Sequence, residues 1–93
     1  MKRKEEIMQR TNNAMMLSGD LFPGLPLLEI YGNRRVLIEN HCGVSGYSCC
    51  EIIVQTKQGI YSILGEHLEI SSMTKHQLII TGIIESVMLK YRR

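Results

Sequence analysis

Past the Pro23–Pro26 stretch, apolar side chains recur at every second position, in short runs cut by Gly, Asn, Ser and Gln. A period of two belongs to a strand with one buried face and excludes an amphipathic helix. Leu28-Glu29-Ile30-Tyr31 reads as a strand, and Gly32-Asn33 as a tight turn compatible with a primed hairpin type. Arg34 to Glu39 returns, with Val36 and Ile38 on one face and Arg35, Leu37 and Glu39 on the other. Asn40 to Ser48 is rich in Gly, Ser and Asn and reads as a loop or an irregular short strand. Cys50 to Thr56 is the next strand, with Cys50, Ile52 and Val54 sharing a face. Gln58-Gly59 turns into Ile60 to Leu64, and Gly65-Glu66-His67 turns again into Leu68-Glu69-Ile70. After a polar connection from Ser71 to His76, Gln77 to Thr81 is a strand, and Ile83 to Tyr91 is another or its continuation.

The last stretch changes phase. Leu78, Ile80, Gly82 and Ile84 alternate on even numbers, and Val87, Leu89 and Tyr91 on odd ones. A one-residue slip exchanges the faces of a strand. A bulge at Glu85-Ser86 keeps both sets pointing inward.

These six to seven strands predict an all-β fold, an antiparallel meander forming a sandwich or a partly open barrel. Short connections between Cys50 and Tyr91 leave no room for parallel crossovers. The core should be aliphatic, because Trp is absent and Phe22 is the single Phe of the 93 residues. That length corresponds to one domain.

The N-terminal part follows another rule. Residues 2–17 read as a short amphipathic helix, with Ile7 and Ala14, and Met8 and Met15, each seven apart on one face. Ser18-Gly19-Asp20 stops it. Pro23 and Pro26 then impose an extended linker. The expected organisation is therefore a helix at 1–20, a linker at 21–26 and a β domain at 27–93.

Charge and cysteine usage narrow the function classes. A net charge of +2 is too small to argue for nucleic acid, and the strands lack the exposed aromatics of an RNA-stacking platform. No signal-peptide h-region follows the basic start, and no apolar run approaches the roughly 20 residues of a membrane span. The expectation is a soluble or peripheral protein. Three cysteines, an odd number, fit poorly with a disulfide-stapled secreted domain. A reducing compartment is expected.

Several ordered segments carry a resemblance. Leu25-Pro26 leads into a strand ending at Gly32, followed by Ile38-Glu39-Asn40-His41-Cys42-Gly43. Next come Gln58-Gly59-Ile60-Tyr61-Ser62-Ile63-Leu64-Gly65 and Leu68-Glu69-Ile70. The run Leu78-Ile79-Ile80-Thr81-Gly82-Ile83-Ile84-Glu85-Ser86-Val87 closes the series. In this order and spacing they resemble the YabP/YqfC family of sporulation proteins, and the lysine- and methionine-bearing N-terminus suits its YqfC branch. The pair Cys49-Cys50 departs from that pattern. The resemblance implies a non-enzymatic protein made in the mother cell of endospore-forming bacteria. It implies action at the forespore envelope, in cortex or coat assembly, beside a membrane-bound partner such as YqfD. It carries over no catalytic, cofactor or metal residues.

Four candidate sites follow from the residues. His41, Cys42, Cys49 and Cys50, with His67 and His76 further on, are zinc-type ligands. Their spacing lacks C-x2-C or H-x3-H, and the simpler reading makes Cys42 and Cys50 small buried hydrophobes. Adjacent Cys49 and Cys50 are expected on opposite faces of a strand. No third residue orients a Cys–His pair for catalysis. Glu39-Asn40-His41 is either a recognition surface or a polar turn in which Asn40 bonds its own backbone and takes an unusual φ, the second being the more economical. Lys2, Arg3 and Lys4, with Met8 and Met15, form a candidate surface for a partner or an anionic membrane. That segment supports the alternative of a peripheral-membrane adaptor. Open sheet edges favour a homo-oligomer.

Overall fold

In the computed structural model, which describes residues 24–92, period-two alternation becomes six strands. They are β1 (Leu27–Tyr31), β2 (Arg35–Glu39), β3 (His41–Tyr47), β4 (Glu51–Thr56), β5 (Gly59–Met73) and β6 (Gln77–Tyr91). All pair antiparallel in one sheet of order β1-β2-β6-β5-β4-β3. The sheet does not close, since β1 and β3 stand at its two ends. The helix expected at 1–20 lies outside the described residues.

The strand order forces curvature. Asn40 alone separates β2 from β3, yet the two are second and sixth in the sheet. Four strand spacings of about 4.8 Å make about 19 Å across a flat sheet. Two Cα steps of about 3.8 Å each cannot cover that. The sheet must fold over until the end of β2 meets the start of β3.

The long strands supply the fold-over. β5 and β6 are each 15 residues long, and each half of β5–β6 has its own neighbour. Near one end β6 pairs with β2 through Gln77–Thr81, and near the other β5 pairs with β4 through Ile60–Leu64. Between these halves the β5–β6 ladder shifts register at Leu64/Gly65 and at Glu66/Glu69, with a third shift at Ile70/Ser72. Such shifts bend and twist strands. The inner face then collects Val36, Ile38, Ile52, Val54, Tyr61, Ile63, Leu68, Leu78, Ile80 and Ile84 in one buried cluster. Leu28, Val44, Ile70 and Val87 pack at its margin.

Two glycines make the bend possible. A Cβ on Gly82 would sit 2.6 Å from the His67 carbonyl oxygen, and one on Gly65 would overlap the Ile83 carbonyl. Across from Gly82, His67 is left-handed at φ 53, and the extra residue of β5 is accommodated there.

The expected bulge on β6 is present. Leu64 pairs Ser86 while Gly65 pairs Ile84, so Glu85 is the extra residue. The switch carries Val87 and Leu89 back to the face of their partners Ile63 and Tyr61. At the far end that face opens, and Leu89 and Tyr91 are exposed. The meander expected between Cys50 and Tyr91 also forms, as β4, β5 and β6. Of the two readings of Asn40 to Ser48, the irregular strand is the one that forms, as β3, with register shifts at His41/Val44 and Val44/Gly46.

Two readings need correction. Gly65-Glu66-His67 is a bulged bend inside β5 rather than a turn between strands, because bulges use the same glycine and left-handed residues as turns. Strand pairing also extends through Met73, reducing the polar connection to Thr74–His76.

Candidate functional site

The passage from β2 to β3 is where chemistry-bearing residues gather. Asn40 is left-handed, with φ 60, a conformation that Asn tolerates better than most residues. Its N–H donates to the His76 carbonyl at 2.6 Å. Its side-chain amide does not turn back on its own backbone, as the sequence reading expected. It donates to the Leu25 carbonyl at 2.8 Å, fixing the entry to β1.

His41 follows with its ring buried, only 8% exposed. Nδ1 accepts the Gly43 N–H at 3.0 Å, and Nε2 lies 2.9 Å from the Thr74 carbonyl. A carbonyl cannot donate, so Nε2 carries the proton and the ring is neutral with Nδ1 free to accept. Thr74 is held in turn, because its hydroxyl accepts the N–H groups of His76 and Gln77. Together these bonds rivet the β2–β3 passage to the β5–β6 turn.

Outside the ring lies a shallow, open recess lined by His41, Cys42, Gly43, Met73, Thr74 and Lys75. A partner here would meet Cys42, Met73 and Lys75, since both imidazole nitrogens are engaged inward. Glu39 is half-buried and pairs across the sheet with Leu27 and Gln77. Lys2, Arg3, Lys4, Met8 and Met15 lie outside the described residues.

Cys42 and Cys50 overturn their expected burial. Cys42, Cys49 and Cys50 are all free and exposed. Cys42 follows the inward-facing His41, so strand alternation turns it out. Cys50 precedes β4 in a bend, beyond the reach of strand alternation. That bend also brings the Cys49 and Cys50 sulfurs to 3.4 Å from one another instead of onto opposite faces. The Ser48 hydroxyl, which accepts the N–H groups of Cys50 and Glu51, shapes it. A Ser immediately before the cysteines was the available sequence signal. His67 and His76 are exposed. Among the described residues no three His, Cys, Asp or Glu side chains converge as a metal-holding group.

The two ends of the sheet differ. β3 carries two register shifts, and its Gly43 is at φ 117. Bulges of this kind blunt an edge against further pairing. β1 keeps an unbroken register with β2 over five residues, and its other side pairs with no strand among those described. It exposes Ile30 by 51% and Tyr31 by 50%, with Leu27 beside them at 38%.

The fold and these edges define an all-β antiparallel module. The YabP family model matches residues 26–93, and the chain belongs to that family. It is 27% identical over 86 residues to the uncharacterized protein YqfC of Bacillus subtilis (strain 168), covering 92% of either chain. No solved structure matches.

Proposed function

We propose that this chain is a non-enzymatic sporulation protein that acts in assembly of the forespore envelope, at the cortex or coat, through protein–protein contact. Its place is the mother-cell cytoplasm, at the face of the forespore membrane, beside a membrane-bound partner of the same developmental programme. Family membership supports the setting. The observation that carries the contact is the unblunted β1 edge, whose outer side pairs with no strand among the described residues and which exposes Leu27, Ile30 and Tyr31. An extended segment added there gains main-chain hydrogen bonds, and alternate side chains supply the selectivity. Without its partner, the same edge takes a second copy of the chain.

Among the described residues no helix is long and apolar enough to cross a membrane. In this reading a membrane-bound partner supplies the anchorage. The test is a deletion strain complemented with the wild-type gene or with an Ile30→Lys variant, scored for expression stage and heat-resistant spores. The reading expects expression confined to sporulation, a loss of resistant spores on deletion, and poor rescue by the variant. Expression in vegetative cells with normal spores in the deletion strain contradicts it.

A further inference from the structure

Ser48 opens the bend between β3 and β4. Its hydroxyl takes the N–H of Cys50 at 3.2 Å and of Glu51 at 3.0 Å, and its own N–H bonds the Glu51 carbonyl at 2.9 Å. The bend holds two exposed thiols with their sulfurs 3.4 Å apart. On its other side the same two residues grip β5. The Cys49 carbonyl accepts the Leu68 N–H at 2.8 Å, and the Cys50 carbonyl accepts the Gly65 N–H at 3.0 Å. The dithiol is therefore fastened to the bulged corner where β5 folds over.

We propose that Cys49 and Cys50 are a reversible redox pair that closes into a vicinal disulfide by exchange with a low-molecular-weight disulfide. The Cys49 thiolate attacks one sulfur of the small disulfide, whose S–S bond breaks and releases the first thiol. The Cys50 sulfur then attacks the Cys49 sulfur of the mixed disulfide, expelling the second thiol and forming the Cys49–Cys50 bond. The two protons of the pair end on the two released thiols. The pair loses two electrons, and the small disulfide gains them.

The surroundings set the order of events. A hydrogen bond to the Cys49 sulfur and the charge on that sulfur hold the Cys50 thiol above its ordinary range, with smaller contributions from the Glu66 and Glu85 carboxylates. This disfavours Cys50 as the first attacking thiolate.

Geometry sets the poise. The eight-membered ring contains the Cys49–Cys50 peptide, which is trans. Neighbouring Cα atoms across a trans peptide are about 3.8 Å apart, whereas disulfides span about 4.4 Å or more. A ring this tight is strained, and strained, exposed disulfides are readily reduced. The pair stays open in a reducing compartment and closes when oxidised small thiols accumulate. Closure re-aims the Cys49 carbonyl, which lies within the ring, and so releases the Leu68 amide at the sheet corner.

The test incubates the full chain with oxidised glutathione, blocks remaining thiols with an alkylating agent and weighs the intact protein. Wild type and Cys42→Ser should lose two alkylatable thiols and two hydrogens in mass at positions 49 and 50, and recover both with excess reduced glutathione. Cys49→Ser and Cys50→Ser should instead keep a glutathione adduct on the remaining member of the pair. Amide exchange on the closed wild-type protein should show loss of protection at Leu68. A wild-type protein that keeps stable adducts at 49 or 50, links only between chains, or stays fully alkylatable overturns the proposal. Closure with unchanged Leu68 exchange overturns the coupling to the corner.

Discussion

His41 Nε2 donates to the Thr74 carbonyl at 2.9 Å, joining residues 33 apart in the chain. With Gly43 N–H on Nδ1, one buried ring bonds β3 and the β5–β6 turn at once. The bond secures the one-residue passage by which the chain crosses from one side of the folded sheet to the other.

Replacing His41 by Phe keeps a ring in the site and strands two polar groups, the Gly43 N–H and the Thr74 carbonyl. Each buried unsatisfied group costs about 1–3 kcal/mol, so H41F should lose about 2–6 kcal/mol in urea unfolding. Asn40→Ala should cost more than Asn40→Gly, because both lose the Leu25 bond but only Ala adds left-handed strain of about 1–2 kcal/mol.

Glycine substitutions should separate by what a Cβ meets. Gly82→Ala places a methyl 2.6 Å from the His67 carbonyl oxygen, against backbone that cannot yield cheaply. A loss above about 4 kcal/mol is expected there, the range of backbone and overpacking failures. Gly32→Ala meets nothing within 4 Å and bears only its φ of 55, so it should cost about 1–2 kcal/mol. Thermal melts of the two variants check the ranking.

Deleting Glu85 should cost more than mutating it. Glu85 is exposed and is the extra residue of the β6 bulge, so Glu85→Ala should stay within about 0.5 kcal/mol of wild type. Its deletion removes the bulge and the bend it gives β6, while leaving Val87 opposite Ile63 and Leu89 opposite Tyr61. A lowered urea midpoint with cooperative unfolding kept in the deletion, and a normal midpoint in Glu85→Ala, is the expected pair of results.

Alkaline pH should weaken the fold through Tyr61. Burial, and then the neighbouring Tyr91, push its phenol above the ordinary value of about 10. The folded state favours the protonated form, so this stabilisation is complete below about pH 10 and is lost as pH rises through the folded-state value. In an absorbance titration, Tyr61→Phe should remove a late-ionising tyrosine, and its urea midpoint should fall less steeply above pH 10 than that of wild type.

How much of this was legible beforehand depended on range. Alternation at Val36/Ile38, Ile52/Val54 and Leu78/Ile80 exposed the strands, and the odd–even switch after Ile84 exposed the bulge. These are local signals. The pairing of β2 with β6 was not legible, because no local period says which distant strand supplies a partner. Gly65-Glu66-His67 was misread since a turn and a bulge draw on the same residues. The positive φ at Asn40 was legible from its residue type, whereas the destination of its side chain at Leu25 was not. Cys42 and Cys50 were misplaced because the left-handed Asn40 and the bend after Ser48 interrupt the alternation that carries Val36, Ile38 and Ile52 inward.

The β1 edge carries the account of function, and its direct measurement is affinity capture from detergent-solubilised envelopes of sporulating cells. Wild-type chain and Ile30→Lys would be used as baits, with light scattering of each bait as a companion reading. The account predicts that wild type retains a membrane protein made during sporulation and self-associates at high concentration, and that Ile30→Lys, folded by circular dichroism, loses both. Equal capture by the two baits, or no membrane protein on either with wild type a sharp monomer, would contradict it.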